Sequence, residues 1–118
     1  MEYKFNNERP IYKQIMEAIG IEILKGTYLP GEKILSVREF ATLYQVNPNT
    51  IQRALNELEE QGLIVTMRTN GKFVTEEHSH IDHLKKRLAQ ERMDQYFIEM
   101  QKIGFSNEEA IHILEKRG

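Results

Sequence analysis

Ile11, Ile15, Ile19 and Ile23 recur every four residues, and Tyr12, Met16 and Leu24 widen the stripe. That spacing predicts an amphipathic helix of about four turns. Pro10 opens it, because the first turn leaves its N–H groups unpaired and proline has none to lose. Gly26, after Lys25, suits a left-handed C-cap. Leu29-Pro30-Gly31-Glu32 reads as a type II turn, with Pro fixing one φ and Gly accepting a positive one. Lys33-Ile34-Leu35 reads as a short extended piece. Ser36-Val37-Arg38-Glu39 is a capping box, and Val37, Phe40, Ala41 and Tyr44 face inward on the short helix it starts. Asn47 caps the next helix, with Pro48 at its first position. There Ile51, Ala54, Leu55 and Leu58 form the buried stripe, Asn49, Gln52, Arg53 and Asn56 point the other way, and Gly62 ends the run.

The period then changes. Leu63 to Met67 is rich in strand formers, Asn70-Gly71 is a strong hairpin signal, and Lys72 to Thr75 returns as a second strand. Glu76 to His83 reads as a polar joint. From Ile81 onward, Leu84, Leu88, Met93, Phe97, Met100 and Ile103 predict a long helix whose apolar face drifts. Gly104 breaks it. Ser106-Asn107-Glu108-Glu109 is a second capping box, followed by Ala110, Ile111, Ile113 and Leu114 on a short last helix. The fold class is therefore mainly α with a small β-hairpin, in two regions, 1–75 and 76–118.

Composition narrows the function. The chain has 118 residues, 40% apolar and 29% charged, with a formal charge of -2. That is one small soluble domain with an appendage. No apolar run approaches the ~20 residues that span a bilayer, and the start shows no signal-peptide core. The absence of cysteine excludes disulfides, thiol chemistry and Cys-ligated zinc, and fits a cytoplasmic protein. With the charge near zero, any basic surface must be local. Between Ser36 and Asn56 the one acid is Glu39, against Arg38 and Arg53, and between Gln61 and Thr75 only Arg68 and Lys72 are charged. Glu57, Glu59 and Glu60 stand apart as a block. With no Gly-rich phosphate loop and no framed Ser-His-Asp set, the sequence predicts no enzyme and no cofactor.

Val37 to Asn56 fits a helix-turn-helix. Apolar residues fall where that motif needs them, at Phe40, Tyr44, Val46, Ile51 and Ala54, and Ala41 lets the helices cross closely. The usual glycine of the turn is Gln45, which asks for a slightly different turn. The second helix would offer its start to the major groove of double-stranded DNA. Amides near Asn47, Asn49 and Thr50, with their side chains and the positive end of the helix, suit a phosphate. Gln52 and Arg53 reach base edges, Gln matching adenine and Arg guanine; alternatively, Arg53 pairs with Glu57 four residues on. Arg38 would clamp the backbone, with Ser36 beside it. Arg68, Asn70, Gly71 and Lys72 would lie along the minor groove as a wing. A protein-binding adaptor with the same fold is the alternative.

These residues resemble the GntR family of bacterial transcription regulators. The resemblance runs from Pro10-Ile11-Tyr12-Lys13-Gln14-Ile15 through Leu29-Pro30-Gly31, Ser36 to Ala41 and Val46 to Leu55, then Leu58 to Ile64 and Gly71 to Val74. It implies a winged helix-turn-helix and a dimer on a near-palindromic operator, with Arg38, Thr50 and Gly71 at family contact positions. Many members have Arg where this chain has Pro48 and Gln52, so their operators do not carry over. The short region after the wing resembles the YtrA-like subfamily. That implies dimerisation through the last two helices and regulation, often repression, of transporter operons. The effector ligand stays unknown from the sequence.

Other features compete for a role. His78, His80, Asp82 and His83 have ligand chemistry for zinc or nickel; the plainer reading is a solvated joint, and no metal site is assigned. Lys85-Lys86-Arg87 reads as a wet helix face. Met93, Phe97 and Met100 either line a ligand pocket or, with Leu84, Leu88, Ile111 and Leu114, form a homodimer seam. The seam is preferred, because a monomer of this size offers these residues too little partner surface.

Overall fold

The computed structural model describes residues 5–68 and 70–117. Helix α1 (Ile11–Lys25) forms where the isoleucine stripe lies, with Pro10 as its N-cap and Gly26, at φ 85°, as its left-handed C-cap. Ile15, Ile19 and Ile23 are buried. Gln14 is buried as well, on the same side as the stripe. Its carboxamide accepts from the Asn6 amide and donates to the Asn6 and Arg9 carbonyls, fastening the preceding segment to α1. The turn at Leu29–Glu32 closes as expected, with the Glu32 amide on the Leu29 carbonyl at 2.9 Å and Gly31 at φ 81°.

Helices α2 (Val37–Tyr44) and α3 (Pro48–Glu60) follow. Ser36 and Glu39 form the reciprocal capping box, and Asn47 caps α3 with Pro48 at its first position. The helix-turn-helix keeps a left-handed residue in its turn: Gln45 sits at φ 57°, ψ 50°. The expectation of a different turn is therefore corrected. Close crossing of α2 and α3 fixes the path, and Gln45 accepts a conformation that costs an L-residue roughly 1–2 kcal/mol.

Strands β1 (Ile64–Met67) and β2 (Gly71–Val74) pair antiparallel, with Met67 opposite Gly71. The second strand begins at Gly71 rather than Lys72. Gly71 is thus the first residue of the strand and not part of a two-residue turn, and the Asn70 amide before it donates to the Met67 carbonyl at 2.9 Å. Thr69 lies outside the described residues. A third backbone segment joins the hairpin. The Ile34 amide donates to Lys72, the Val74 amide to Glu32 and the Gly31 amide to Val74, and Lys33 bridges Phe73. The core of this unit is closed by Phe40, Ile51, Leu55, Leu58, Leu63, Ile64 and Val74, all nearly inaccessible.

The polar stretch after the wing is not a loose joint. Helix α4 (His78–Lys102) starts inside it and runs unbroken for 25 residues. The Thr75 hydroxyl accepts the Glu77 amide at the entry, and the His80 ring lies 3.3 Å from the Gly62 carbonyl. Compact packing divides the chain within α4, as Met1–Asp82 and His83–Gly118. In the second unit Gly104, at φ 99°, turns the chain into α5 (Asn107–Lys116), which opens with the Ser106–Glu109 capping box. Tyr96 donates its hydroxyl to the Ala110 carbonyl at 2.7 Å, and Gln101 donates to Asn107. Ala110 is fully buried. Tyr96, to which the sequence assigned no role of its own, ties the two helices together.

Candidate nucleic-acid interface

Burying Ile51, Ala54, Leu55 and Leu58 leaves one outward line on α3, carrying Asn49, Gln52, Arg53 and Asn56, all exposed. Gln52 donates to the Asn56 carboxamide at 2.9 Å, so the two side chains lie along the helix as a pair. The start of α3 offers fewer amides than the sequence suggested. Pro48 has none, the Asn49 amide is taken by the Asn47 side chain at 2.8 Å, and the Thr50 amide by the Asn47 carbonyl at 3.0 Å. The cap that stabilises the helix thereby uses the donors a phosphate would need. Of the donors expected there for a phosphate, the Asn49 and Thr50 amides are thus engaged within the helix start.

Arg38 projects from the first turn of α2, exposed, and no ion pair holds its guanidinium among the described residues. Ser36 beside it is occupied by the capping box. The Ser36 amide, and then its hydroxyl, hold the Glu39 carboxyl below its ordinary value, so this acid keeps its charge at the helix start.

The wing brings its groups together unevenly. Arg68 and Asn70 are exposed at its tip. Lys72 is drawn back instead: its side chain is 17% exposed and its ammonium reaches Thr66 Oγ1 at 2.8 Å and Glu59 at 3.5 Å. Thr66 also donates to Glu59, and this bond, helped by Lys72, depresses the Glu59 carboxyl. Sequence reasoning missed Lys33. The third segment of the wing carries it under Gly71, where a Cβ would stand 3.1 Å from Lys33 Cε. Glycine is required at that point by φ 99° and by this close approach together. Only the pairing of residues 31–34 with β2 reveals Lys33, since its local sequence carries no signal.

Arg53 does not pair with Glu57. Its guanidinium carbon lies 3.8 Å from the centroid of the Tyr12 ring on α1.

Among the described residues no group of three His, Asp or Glu side chains is placed to hold a metal ion, and His80 is turned to Gly62. No helix is long and apolar enough to cross a membrane. On α4 and α5, Leu84 is already buried within the chain, and Leu88, Phe97 and Met100 are half-buried. Met93, Ile111 and Leu114 are 45–49% exposed. Ile98, Ile103 and Ile113, which the predicted seam omits, are open as well, Ile103 at 70%.

Residues 11–74, the segment that builds α1 through the hairpin, match the family described as bacterial regulatory proteins, gntR family. The chain belongs to the GntR family. It is an HTH-type transcriptional regulator with a winged helix and two further helices. It is similar to the HTH-type transcriptional regulator YhcF of Bacillus subtilis (strain 168), at 38% identity over 94% of this chain and 92% of that one. It is similar to the HTH-type transcriptional repressor YtrA of the same organism, at 36% identity over 80% of this chain and 78% of that one. Both matches run past the wing. A GntR family transcriptional regulator from Listeria monocytogenes superposes with a TM-score of 0.87 at 45% identity, over 97% of this chain and all of that one. The DNA-binding domain of AraR in complex with its operator ORE1 superposes with a TM-score of 0.56 at 31% identity, over 64% of this chain and 94% of that one.

Proposed function

We propose that this GntR regulator is a dimeric repressor that lays α3 in the major groove of a near-palindromic operator, of the kind that controls transporter genes. One observation carries the reading. The outward line of α3, with Asn49, Gln52, Arg53 and Asn56, is open, and exposed Arg38 stands on the neighbouring helix without a carboxylate partner among the described residues. Ser36 and Asn47 cap the starts of α2 and α3 and, with Thr50 in the first turn of α3, stand where they contact the DNA backbone. Gln52 and Asn56 supply base-edge donors and acceptors, and Arg38 supplies a phosphate contact. Arg68, Asn70, Gly71 and the newly placed Lys33 form the wing contact; Lys72 joins them on release from Glu59. Repression is favoured by the likeness to YtrA, and DNA as the partner by the likeness to the AraR domain seen on an operator. The adaptor alternative has no such support.

Residues 1–75 act as the reading head and 76–118 as the coupling region. Met93, Phe97, Met100, Ile111 and Leu114 form the seam, with Ile98, Ile103 and Ile113 added; Leu84 belongs to the chain's own interior. A dimer of this type meets half-sites about 34 Å apart. Selection of duplexes from a random pool by the intact protein tests the reading. The expected product is an inverted repeat, and Arg38→Ala lowers affinity for every duplex with a salt slope smaller by about one. Recovery of no preferred sequence would sink it.

A further inference from the structure

The stack of Arg53 on Tyr12 joins the recognition helix to a helix outside the helix-turn-helix. Tyr12 is half-buried at the start of α1, one turn before Ile15 and two before Ile19, whose side chains are fully buried. Its ring is therefore anchored to the rigid part of the domain. The guanidinium rests on its face at 3.8 Å. No carboxylate among the described residues neutralises Arg53, although Glu57 stands one turn away. Stacking occupies one π-face and leaves the in-plane N–H edge unspent, and that edge is the part that grips an oxyanion. The side chain is also aimed. Tyr12 belongs to α1, which packs against α3, so an arginine resting on it leans from the exposed line of α3 towards the flank that faces α1. In a major groove the flank of a helix meets the wall, which is sugar and phosphate, while the outermost line meets the bases.

We propose that Tyr12 is a positioning residue for DNA binding: it parks the Arg53 guanidinium at the side of α3, where Arg53 holds a backbone phosphate instead of reading a base. This rests on the assignment of α3 to the DNA face. It changes the expectation for Arg53, which the sequence placed among the base readers. Holding the cation in advance removes part of the ordering cost of the contact.

Wild-type protein, Tyr12→Phe, Tyr12→Leu, Arg53→Ala and the Tyr12→Leu/Arg53→Ala double variant are titrated against a duplex recovered by selection with wild type, and against a scrambled duplex of the same composition, at several salt concentrations. A stacking interaction at an exposed site corresponds to about two- to fivefold in affinity. Tyr12→Leu is expected to weaken binding by that factor, Tyr12→Phe to restore most of it, and Tyr12→Leu to add nothing once Arg53 is alanine. Arg53→Ala is expected to lower the salt slope by about one and to select the same consensus as wild type. A thermal melt of each variant separates a folding defect from these effects, because such a defect persists in the Arg53→Ala background. A changed consensus for Arg53→Ala would show base reading and overturn the phosphate assignment. A Tyr12→Leu loss that remains in the double variant, or no loss in the single one, would overturn the positioning role. Equal wild-type affinity for the two duplexes would remove the DNA-face assignment itself, and this proposal with it.

Discussion

The unit Met1–Asp82 and the unit His83–Gly118 use the same local devices and reach opposite results. Each starts a helix with a Ser-x-x-Glu capping box, one at Ser36 and one at Ser106. In the first unit the apolar faces of α1, α2, α3 and the hairpin close on one another, and Ile15, Ile19, Ile51 and Leu55 have no accessible surface. In the second, α4 buries only Leu84 and α5 only Ala110, while Ile98, Ile103, Ile111 and Leu114 stay open. Forming a helix and covering its apolar face are thus separate instructions. The first unit carries both within one chain. The second carries only the first, and the proposed seam is what would supply the other.

The sharpest way to break this contrast is to remove core volume. Leu55→Ala should destabilise the protein by about 2–5 kcal/mol, the usual range for a fully buried leucine. Urea unfolding measures it, and a loss under 1 kcal/mol would mean that the α1–α3 core is looser than its burial indicates. Next comes the open face. Leu114→Asp should leave far-UV circular dichroism unchanged but weaken self-association by about 1.5–3 kcal/mol per side chain that the seam buries. Sedimentation of the variant as a dimer at the wild-type concentration would place the seam elsewhere.

The paired caps allow a finer comparison. Ser36→Ala and Ser106→Ala should each cost about 0.5–2 kcal/mol of local stability. Only Ser36→Ala should also lower affinity for DNA, since it loosens the helix that bears Arg38. Equal effects of the two variants on a gel shift would erase the functional difference between the units.

The smallest effect is that of acid. Glu39, Glu59 and Glu109 titrate below their ordinary value because the folded chain hydrogen-bonds their charged forms. A depressed carboxyl adds stability that is complete above the unfolded value, about 4.3 for glutamate, and is lost as pH falls through the folded value. Melting temperature should therefore drop below that pH. Glu59→Gln should flatten the drop by removing the bond from Thr66 and the pairing with Lys72. An unaltered acid limb in Glu59→Gln would show that this network contributes nothing.

Much of the first unit was legible because its signals are local and mutually consistent. The isoleucine stripe, the type II turn, the capping boxes and the Asn47-Pro48 start each depend on a few adjacent residues. The helix-turn-helix spacing then places Asn49, Gln52, Arg53 and Arg38 on a surface. Three features of the site were not legible. Gln45 looks wrong for its turn until the crossing of α2 and α3 is seen to impose the left-handed conformation. Lys33 reaches the wing only because a distant segment pairs with β2. Arg53 looks free to meet either a base or Glu57, and it is Tyr12, far away in sequence, that holds it. That the Asn49 and Thr50 amides are engaged was not legible either: Asn47, the residue that marks the helix start, accepts from both.

The sequence by itself determined where α1, α2, α3 and α5 begin, which face of each is apolar, and that a basic surface must be local in a chain of charge -2. These are properties of neighbouring residues and of periodicity, set by backbone sterics and capping. Tertiary structure alone decided which cations remain available. Lys72 is withdrawn to Glu59, Arg53 is laid on Tyr12 and Arg38 is left open. The reach of a long side chain exceeds the spacing of its neighbours in sequence, so its partner is chosen only when distant elements pack.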